Sequence, residues 1–557
     1  MVSDKLQKLN SQFFWFLAAG VLAFAFMLCW WSGGRGFYPS DSSIVFDGAW
    51  RILSGQVPYR DFISPVIVPL YLQALFFKIL GVHFFALRFH AAFVNMLTSA
   101  LCMVLLSYVI PGWRLTILAG GLLTGIWFYS FWGIPWYFQT SVFFGLIGSV
   151  LALRARTTMN AGRMGISFVL REPAFWSAPM MLLAFLSKQP TGSLFLAFPL
   201  ILWLISPRKD GFWKLFLAYG LGFLVGALSF YSLISDYADA RLFKYIVFDL
   251  PPGILEQLMR ERYYLNKMMG LLLTLTVATL GPVLWHMGRF PQDRQDRYLP
   301  LGLFMATVGF HVVCIGVSTA PSFTNLPLVG VMLALALYLV NSACERMGTR
   351  SYADPTFWMP FILAGVMVVT GGAGLYLVSS ARAKGHNASM VFMPPIESGP
   401  LKGVRWSEPI SGITRQNVID VINFVQHVPE PIYVWGGFSI LYGISGHTSV
   451  GPVLWQHEGL CFPNSYNAEM QAIDLWTLRD IQAVKPRYVI GATKWLLAVD
   501  QDTGVPAPGY VLGQEPSFYF KDHPYFKETM RYLRKDYPVK HQRFGPWLTL
   551  FERKDAV

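Results

Sequence analysis

Two aspartates in one early stretch, Asp41 and Asp47, have the side chains best suited to chemistry in this chain. They lie in Tyr38-Pro39-Ser40-Asp41-Ser42-Ser43 and in Ile44 to Leu53, which Ser54-Gly55 closes. An aspartate is ionised at neutral pH unless buried, so either can take a proton from a hydroxyl without special tuning. Each also has a structural use. Asp41 sits where a helix would begin, and a carboxylate there accepts backbone N–H bonds and complements the helix dipole. Asp47 and Arg51 are spaced i, i+4, which fits a helix-surface ion pair worth roughly a few tenths of a kcal/mol. Asp41 and Asp47 stand about 120° apart around a helix, so they do not form a paired-carboxylate dyad. Ile44, Val45, Ile52 and Leu53 of the same stretch suit a membrane surface.

The cations that could meet an anion are Arg60, Lys78, Arg88 and Lys188, each at or near the end of an apolar segment. Their shared alternative is to snorkel to an interface. Lys188 differs in degree, because Phe185-Leu186-Ser187-Lys188 would place an ammonium in hydrocarbon, where it needs a partner.

The elements that must position these residues are membrane spans. Of 557 residues, 54% are hydrophobic, 16% aromatic and only 13% charged. The apolar residues fall in blocks long enough to cross a hydrocarbon core, which takes about 20 helical residues. The spacing predicts spans at Phe13–Trp31, Leu87–Val109, Leu115–Trp132, Tyr137–Leu153, Phe175–Ser187, Gly192–Ile205, Leu215–Ile234, Gly270–Met287, Leu299–Ser318, Leu326–Val340 and Phe357–Val378. This α-helical polytopic bundle therefore has about eleven transmembrane helices. The two blocks beside Lys188 are short and read as tilted or broken helices. The first block has no small-residue cleavage site and reads as a retained helix.

Lys5 and Lys8, Arg114, Arg154 to Arg171, Arg208 to Lys214, Arg289 to Arg297, and Arg346 with Arg350 fall on one side of these spans. By the positive-inside rule that side is the cytoplasm, so the N-terminus is cytoplasmic and everything after Arg382 lies outside. The formal charge of +13 is dispersed among these short loops and is not a basic stripe, which excludes a nucleic-acid partner. Single, scattered cysteines exclude a disulfide framework, and no metal-ligand spacing exists.

Beyond Arg382 the pattern changes. Short apolar runs at Ile432 to Trp435, Tyr488 to Ile490 and Trp547 to Phe551 read as strands, and Val418 to Val428 and Ala472 to Val484 as amphipathic helices. The chain is expected to divide into a membrane module, residues 1–380 with an outer loop at 32–85, and a soluble α/β domain, residues 381–557. A second long outer loop runs from Asp236 to about Tyr264.

The first outer loop carries a more specific pattern. After Gly55 come Gln56-Val57-Pro58-Tyr59-Arg60-Asp61-Phe62, then Pro69-Leu70-Tyr71, then Phe77-Lys78-Ile79-Leu80-Gly81, ahead of an Arg-led span at Arg88. This order resembles the first periplasmic loop of GT-C superfamily glycosyltransferases, especially bacterial members grouped with protein O-mannosyltransferases and lipid A aminoarabinose transferases. Leu186-Ser187-Lys188-Gln189-Pro190-Thr191-Gly192 resembles the family's Lys-containing helix break. Tyr433-Val434-Trp435-Gly436, Lys485-Pro486-Arg487-Tyr488-Val489-Ile490 and Phe551-Glu552-Arg553 resemble its tail domain more loosely.

The resemblance implies a GT-C-like enzyme of the bacterial inner membrane that moves a sugar from a polyprenyl-phosphate-linked donor to an acceptor hydroxyl on the periplasmic face. The acceptor would be a glycan, lipid or protein. Asp41 matches the family's first-loop acid and would be the base, with Asp47 second. Lys188, Arg88, Arg60 and Lys78 would hold the carrier phosphate. Phe62 to Pro69 lacks the His or Lys that many relatives carry there, which moves that task toward Arg60, Arg88 and Lys188. Tyr59, Trp136 and Tyr137 are candidates for sugar stacking, although the aromatics Trp127, Tyr129, Trp132, Trp136 and Tyr137 also fit an interfacial belt. Trp455, His457 and Glu458 are weaker acceptor candidates. The resemblance implies no definite cofactor, and a divalent metal stays open. A transporter of lipid-linked glycan and a non-catalytic glycan-binding scaffold are the competing readings. The spans argue against a transporter, since apart from Lys188 they are nearly free of charge.

Overall fold

The computed structural model describes residues 11–34, 39–129, 133–158, 170–204, 212–235, 240–249, scattered positions in 276–288, 298–316, 327–346, 395–404, 415–454, 462–492, 525–537, 539–544 and 548–556, with 398 and 464 excepted. The expected span Phe357–Val378, most of Gly270–Met287, and the candidates Trp455, His457 and Glu458 lie outside them.

The described chain is mostly helical and has the character of a membrane protein. Four helices among the described residues are long and apolar enough to cross a membrane: Ser11–Gly33, Phe84–Val109, Tyr137–Thr157 and Phe212–Ser232. Shorter apolar helices occupy Arg114–Trp127, Pro173–Ser187, Gln189–Leu204, Tyr298–Cys314 and Val329–Ala343. A helix meets every backbone hydrogen bond within itself, which hydrocarbon demands.

Contacts divide the chain into two compact units that do not follow the expected single boundary near residue 381. One holds residues 1–33, 88–233 and 255–381; the other holds 34–87, 234–254 and 382–557. The first outer loop thus belongs to the same unit as the C-terminal segment.

The first unit is the helical bundle. Phe16, Met27, Leu217, Leu224 and Leu228 are exposed on its helices, an apolar surface suited to lipid. Inside, small residues let helices approach closely. A Cβ on Gly125 would come within 2.6 Å of the Ala25 Cβ, and one on Gly330 within 2.4 Å of the Gly120 carbonyl oxygen. Buried Asn95 ties three segments together: its amide donates to the carbonyls of Ala25 and Gly125, and its oxygen accepts from the Tyr129 N–H. Such interhelical bonds to backbone are the polar glue of membrane bundles.

The second unit is built on a four-stranded sheet of β1 (Ile432–Trp435), β2 (Tyr488–Ala492), β3 (Val539–Arg543) and β4 (Leu548–Glu552), in the order β1-β2-β4-β3. β1 and β2 run parallel, and the other pairs are antiparallel. Helices Arg415–His427, Ala468–Val484 and Lys527–Asp536 accompany it. Asp474, buried on the second of these helices, caps the third. Its carboxylate accepts from the Glu528 and Thr529 N–H groups at 2.9 and 3.0 Å and from the Thr529 hydroxyl at 2.7 Å. These donors are among the orphan groups of a helix start. Asp474→Ala should destabilise this unit by about 1–3 kcal/mol, the cost of buried donors left unmet. Earlier thermal unfolding of the purified variant would show it, and an unchanged midpoint would refute it.

The first-loop helix Pro39–Leu53 and helix Val68–Leu80 cross at Gly48, where a Cβ would meet Leu70 at 2.7 Å. The short helix Ile440–Ser445 presents Gly443 to Phe46 and Trp50 of the first-loop helix. Phe62, Leu70 and Leu454 form one buried cluster, and Ile63 bridges Val453. Ile44 and Val45, expected at a membrane surface, are instead in this core at 1% exposure each.

Candidate functional site

The first-loop helix begins at Pro39, so Asp41 stands in its first turn instead of before it. Proline is favoured there because its missing N–H is one the helix start would leave unpaired anyway. The Asp41 side chain lies outside the described residues.

Two turns on, Asp47 is fully buried and both its carboxylate oxygens are engaged. Oδ2 accepts from Arg51 Nε at 3.0 Å, and Oδ1 accepts from the Ser449 hydroxyl at 2.6 Å. Arg51, 1% exposed, also donates to the Gly451 carbonyl at 2.7 Å. Burial pushes the Asp47 carboxyl above its ordinary range, while the Arg51 charge and the Ser449 hydroxyl pull it back. The expected surface ion pair is therefore an interior one. It joins the first loop to the His447–Gly451 segment, together with Ser43 on Gly437, Trp50 on His447 and Gln56 on Ser449. A carboxylate so enclosed is a fastening, and it is poorly placed to meet an acceptor hydroxyl.

The turn that follows is also internally fixed. Tyr59 adopts a left-handed backbone at φ 63°, rare for a residue with a side chain. Its N–H donates to the Phe62 carbonyl, its hydroxyl to the Ser64 carbonyl at 2.8 Å, and its ring meets Phe243 edge-on. At 1% exposure Tyr59 is a core residue, which corrects its assignment to sugar stacking. Arg60 pairs with Asp61 at 2.6 Å, and Asp61 accepts from the Val57 N–H, so this cation clips the turn. Lys78 is exposed in the last turn of Val68–Leu80, where a cation complements the helix dipole.

The bundle unit brings together Lys188, Tyr137 and Trp136. Helix Pro173–Ser187 stops at Lys188, whose backbone is extended at φ −161° and ψ 116°, and helix Gln189–Leu204 resumes at once. Gly192 makes that corner passable, since a Cβ on it would come within 2.2 Å of the Phe185 Cα. The Lys188 ammonium lies over the Tyr137 ring at 4.6 Å and near Phe138 at 6.0 Å. Trp136 stacks on Tyr137 at 4.5 Å between centroids. Among the described residues no carboxylate pairs with Lys188.

Arg88 is held differently. Its guanidinium stacks on Trp30 at 4.2 Å and donates to the Trp30 carbonyl at 2.8 Å, leaving the residue 7% exposed. Trp127 and Tyr129 are buried at 1% and 0%, so they are core aromatics and not an interfacial belt, and Trp132 lies outside the described residues. No group of three or more His, Cys, Asp or Glu that could hold a metal occurs among the described residues.

Sequence reasoning missed Ser449 and Gly451, the receivers of Asp47 and Arg51. No local signal could have found them, because the partners stand about four hundred positions apart.

No family model matches this chain, and no curated protein does. Solved structures do resemble it. The archaeal oligosaccharyltransferase AglB from Archaeoglobus fulgidus, in complex with an inhibitory peptide and a dolichol-phosphate, gives a TM-score of 0.46 at 10% identity, covering 85% of this chain and 69% of its own. ArnT from Cupriavidus metallidurans, bound to undecaprenyl phosphate, gives 0.40 at 12% identity, covering 79% of this chain and 86% of its own.

Proposed function

We propose that this chain is a glycosyltransferase of the bacterial inner membrane. It moves a sugar from a polyprenyl-phosphate-linked donor to an acceptor hydroxyl of a cell-envelope glycan, lipid or protein on the periplasmic face, with inversion. The observation that carries this reading is Lys188, a cation at a helix break within an apolar bundle, laid against aromatic faces without a carboxylate partner among the described residues. An ammonium in that setting calls for an anion, and the phosphate of a lipid carrier supplies one from within the membrane.

Inverting transfer needs a base for the acceptor proton and positive charge on the departing phosphate. Asp41 takes the first role, on the first-loop motif. Lys188 takes the second. Arg60, Arg88 and Lys78 are secondary, since the first two are already engaged with Asp61 and Trp30. Trp136 and Tyr137 flank Lys188 and suit the C–H faces of the donor sugar.

Lys188→Met should raise KM for the lipid-linked donor by roughly ten- to hundredfold, the worth of a charge-assisted bond to phosphate. Lys188→Arg should keep part of the affinity, because the charge remains. Transfer from polyprenyl-phosphate sugar in proteoliposomes measures both, and an unchanged donor KM in Lys188→Met would remove Lys188 from the site.

A further inference from the structure

The second unit holds an open cleft of about 840 Å³, and of the residues given a part in the proposed transfer only Arg60, one of the secondary cations, lines it. Its lining includes Arg60 and Asp61 of the first-loop turn, Trp476, Arg479 and Asp480 of helix Ala468–Val484, and His447. The volume falls in the range of roughly 300–1,000 Å³ typical of small-molecule sites. It has room for more than one sugar ring.

The charges in the cleft come as neighbouring opposites. Arg60 lies 2.6 Å from Asp61, and Arg479 lies 3.6 Å from Asp480. Four ionised side chains thus cancel formally, so the cleft is poorly suited to a phosphate or another strong anion and well suited to a neutral polyol. Carboxylate oxygens accept from sugar hydroxyls, guanidinium N–H groups donate to them, and an indole offers an apolar face for ring C–H groups. Trp476 is half-buried, and burial raises the Asp480 carboxyl above its ordinary range while the Arg479 charge pulls it back.

The His447–Gly451 segment also lines the cleft, and Asp47 and Arg51 fasten it through Ser449 and Gly451. The turn is held by the Asp61 clip on the Val57 N–H, and Trp476, Arg479 and Asp480 are carried by a seventeen-residue helix. A pre-formed site loses little in ordering when its ligand arrives.

We infer that this cleft binds a neutral oligosaccharide, the saccharide part of the acceptor, with Trp476 and Asp480 as its main contacts. This rests on the transferase reading for the word acceptor, and on the cleft alone for the word saccharide. The test uses the full-length protein in nanodiscs and saturation-transfer NMR with neutral tri- and tetrasaccharides of the glucose, mannose, galactose and N-acetylglucosamine series, with mannose 6-phosphate as the anionic control. Ring C–H protons of at least one neutral series should receive saturation. Affinity should fall tenfold or more in Trp476→Ala and several-fold in Asp480→Asn, and Trp476→Phe should restore most of it. Acceptor KM should rise in Trp476→Ala with kcat at saturation retained. No saccharide binding, equal binding in Trp476→Ala, or preference for the phosphorylated sugar would overturn the inference. Transfer that persists without saccharide binding sinks the cleft and spares the transferase. Cleft binding without transfer from any lipid-linked donor sinks the transferase instead.

Discussion

Asp41→Asn should leave the protein in the membrane at its normal level and lower sugar transfer by about 10²–10⁴-fold, the usual contribution of a positioned general base. Asparagine keeps the size of the side chain and can still accept a backbone N–H in the first turn of Pro39–Leu53. What it loses is the capacity to take a proton from the acceptor hydroxyl, together with a helix-dipole interaction of about 0.3–1 kcal/mol, too small to unfold the loop. The loss should appear in kcat at saturating donor and acceptor, since neither substrate is held by the missing charge. Asp41→Glu should recover part of the rate, limited by the longer side chain. The assay is transfer from a polyprenyl-phosphate sugar in membranes, normalised to protein level. Near-normal transfer by Asp41→Asn would discard Asp41 as the base and return weight to a transporter or a glycan-binding scaffold.

How far the sequence carries is clear from particular elements. The apolar blocks were legible because hydrocarbon leaves the backbone no choice but helix, and the break at Lys188 falls on the polar Ser-Lys-Gln-Pro run between two of them. β1, β2 and β4 coincide with dense apolar runs. β3 did not announce itself: Val539-Lys540-His541-Gln542-Arg543 is polar, as befits an edge strand, and it is bulged between Lys540 and Gln542. Helix Lys527–Asp536 was missed although Met530 and Leu533 mark its buried face. The site was legible only in its local parts. Spacing identified the Asp47 and Arg51 pair but not its burial, because burial comes from the His447–Gly451 segment far along the chain. Tyr59, a sugar-stacking candidate by sequence, is shown inside only by its packing on Ser64 and Phe243.

Asp47→Asn separates the fastening from the chemistry. Asp47 and Arg51 are exposed by 0% and 1%, and removing the carboxylate leaves a guanidinium buried without its counter-charge. Breaking a buried pair from one side costs about 3–5 kcal/mol, whereas replacing both partners with apolar residues of similar volume is often neutral. Asp47→Asn should therefore lower the unfolding temperature and expose the first loop to protease, with transfer falling in proportion to the folded fraction. The double variant Asp47→Leu, Arg51→Met should recover stability, and with it transfer. A base cannot be replaced by leucine, so recovery of activity in the double variant is an outcome only a structural Asp47 permits. If Asp47→Asn melts like the wild type yet transfers no sugar, or the double variant is stable and inactive, Asp47 belongs to the chemistry and the fastening is incidental.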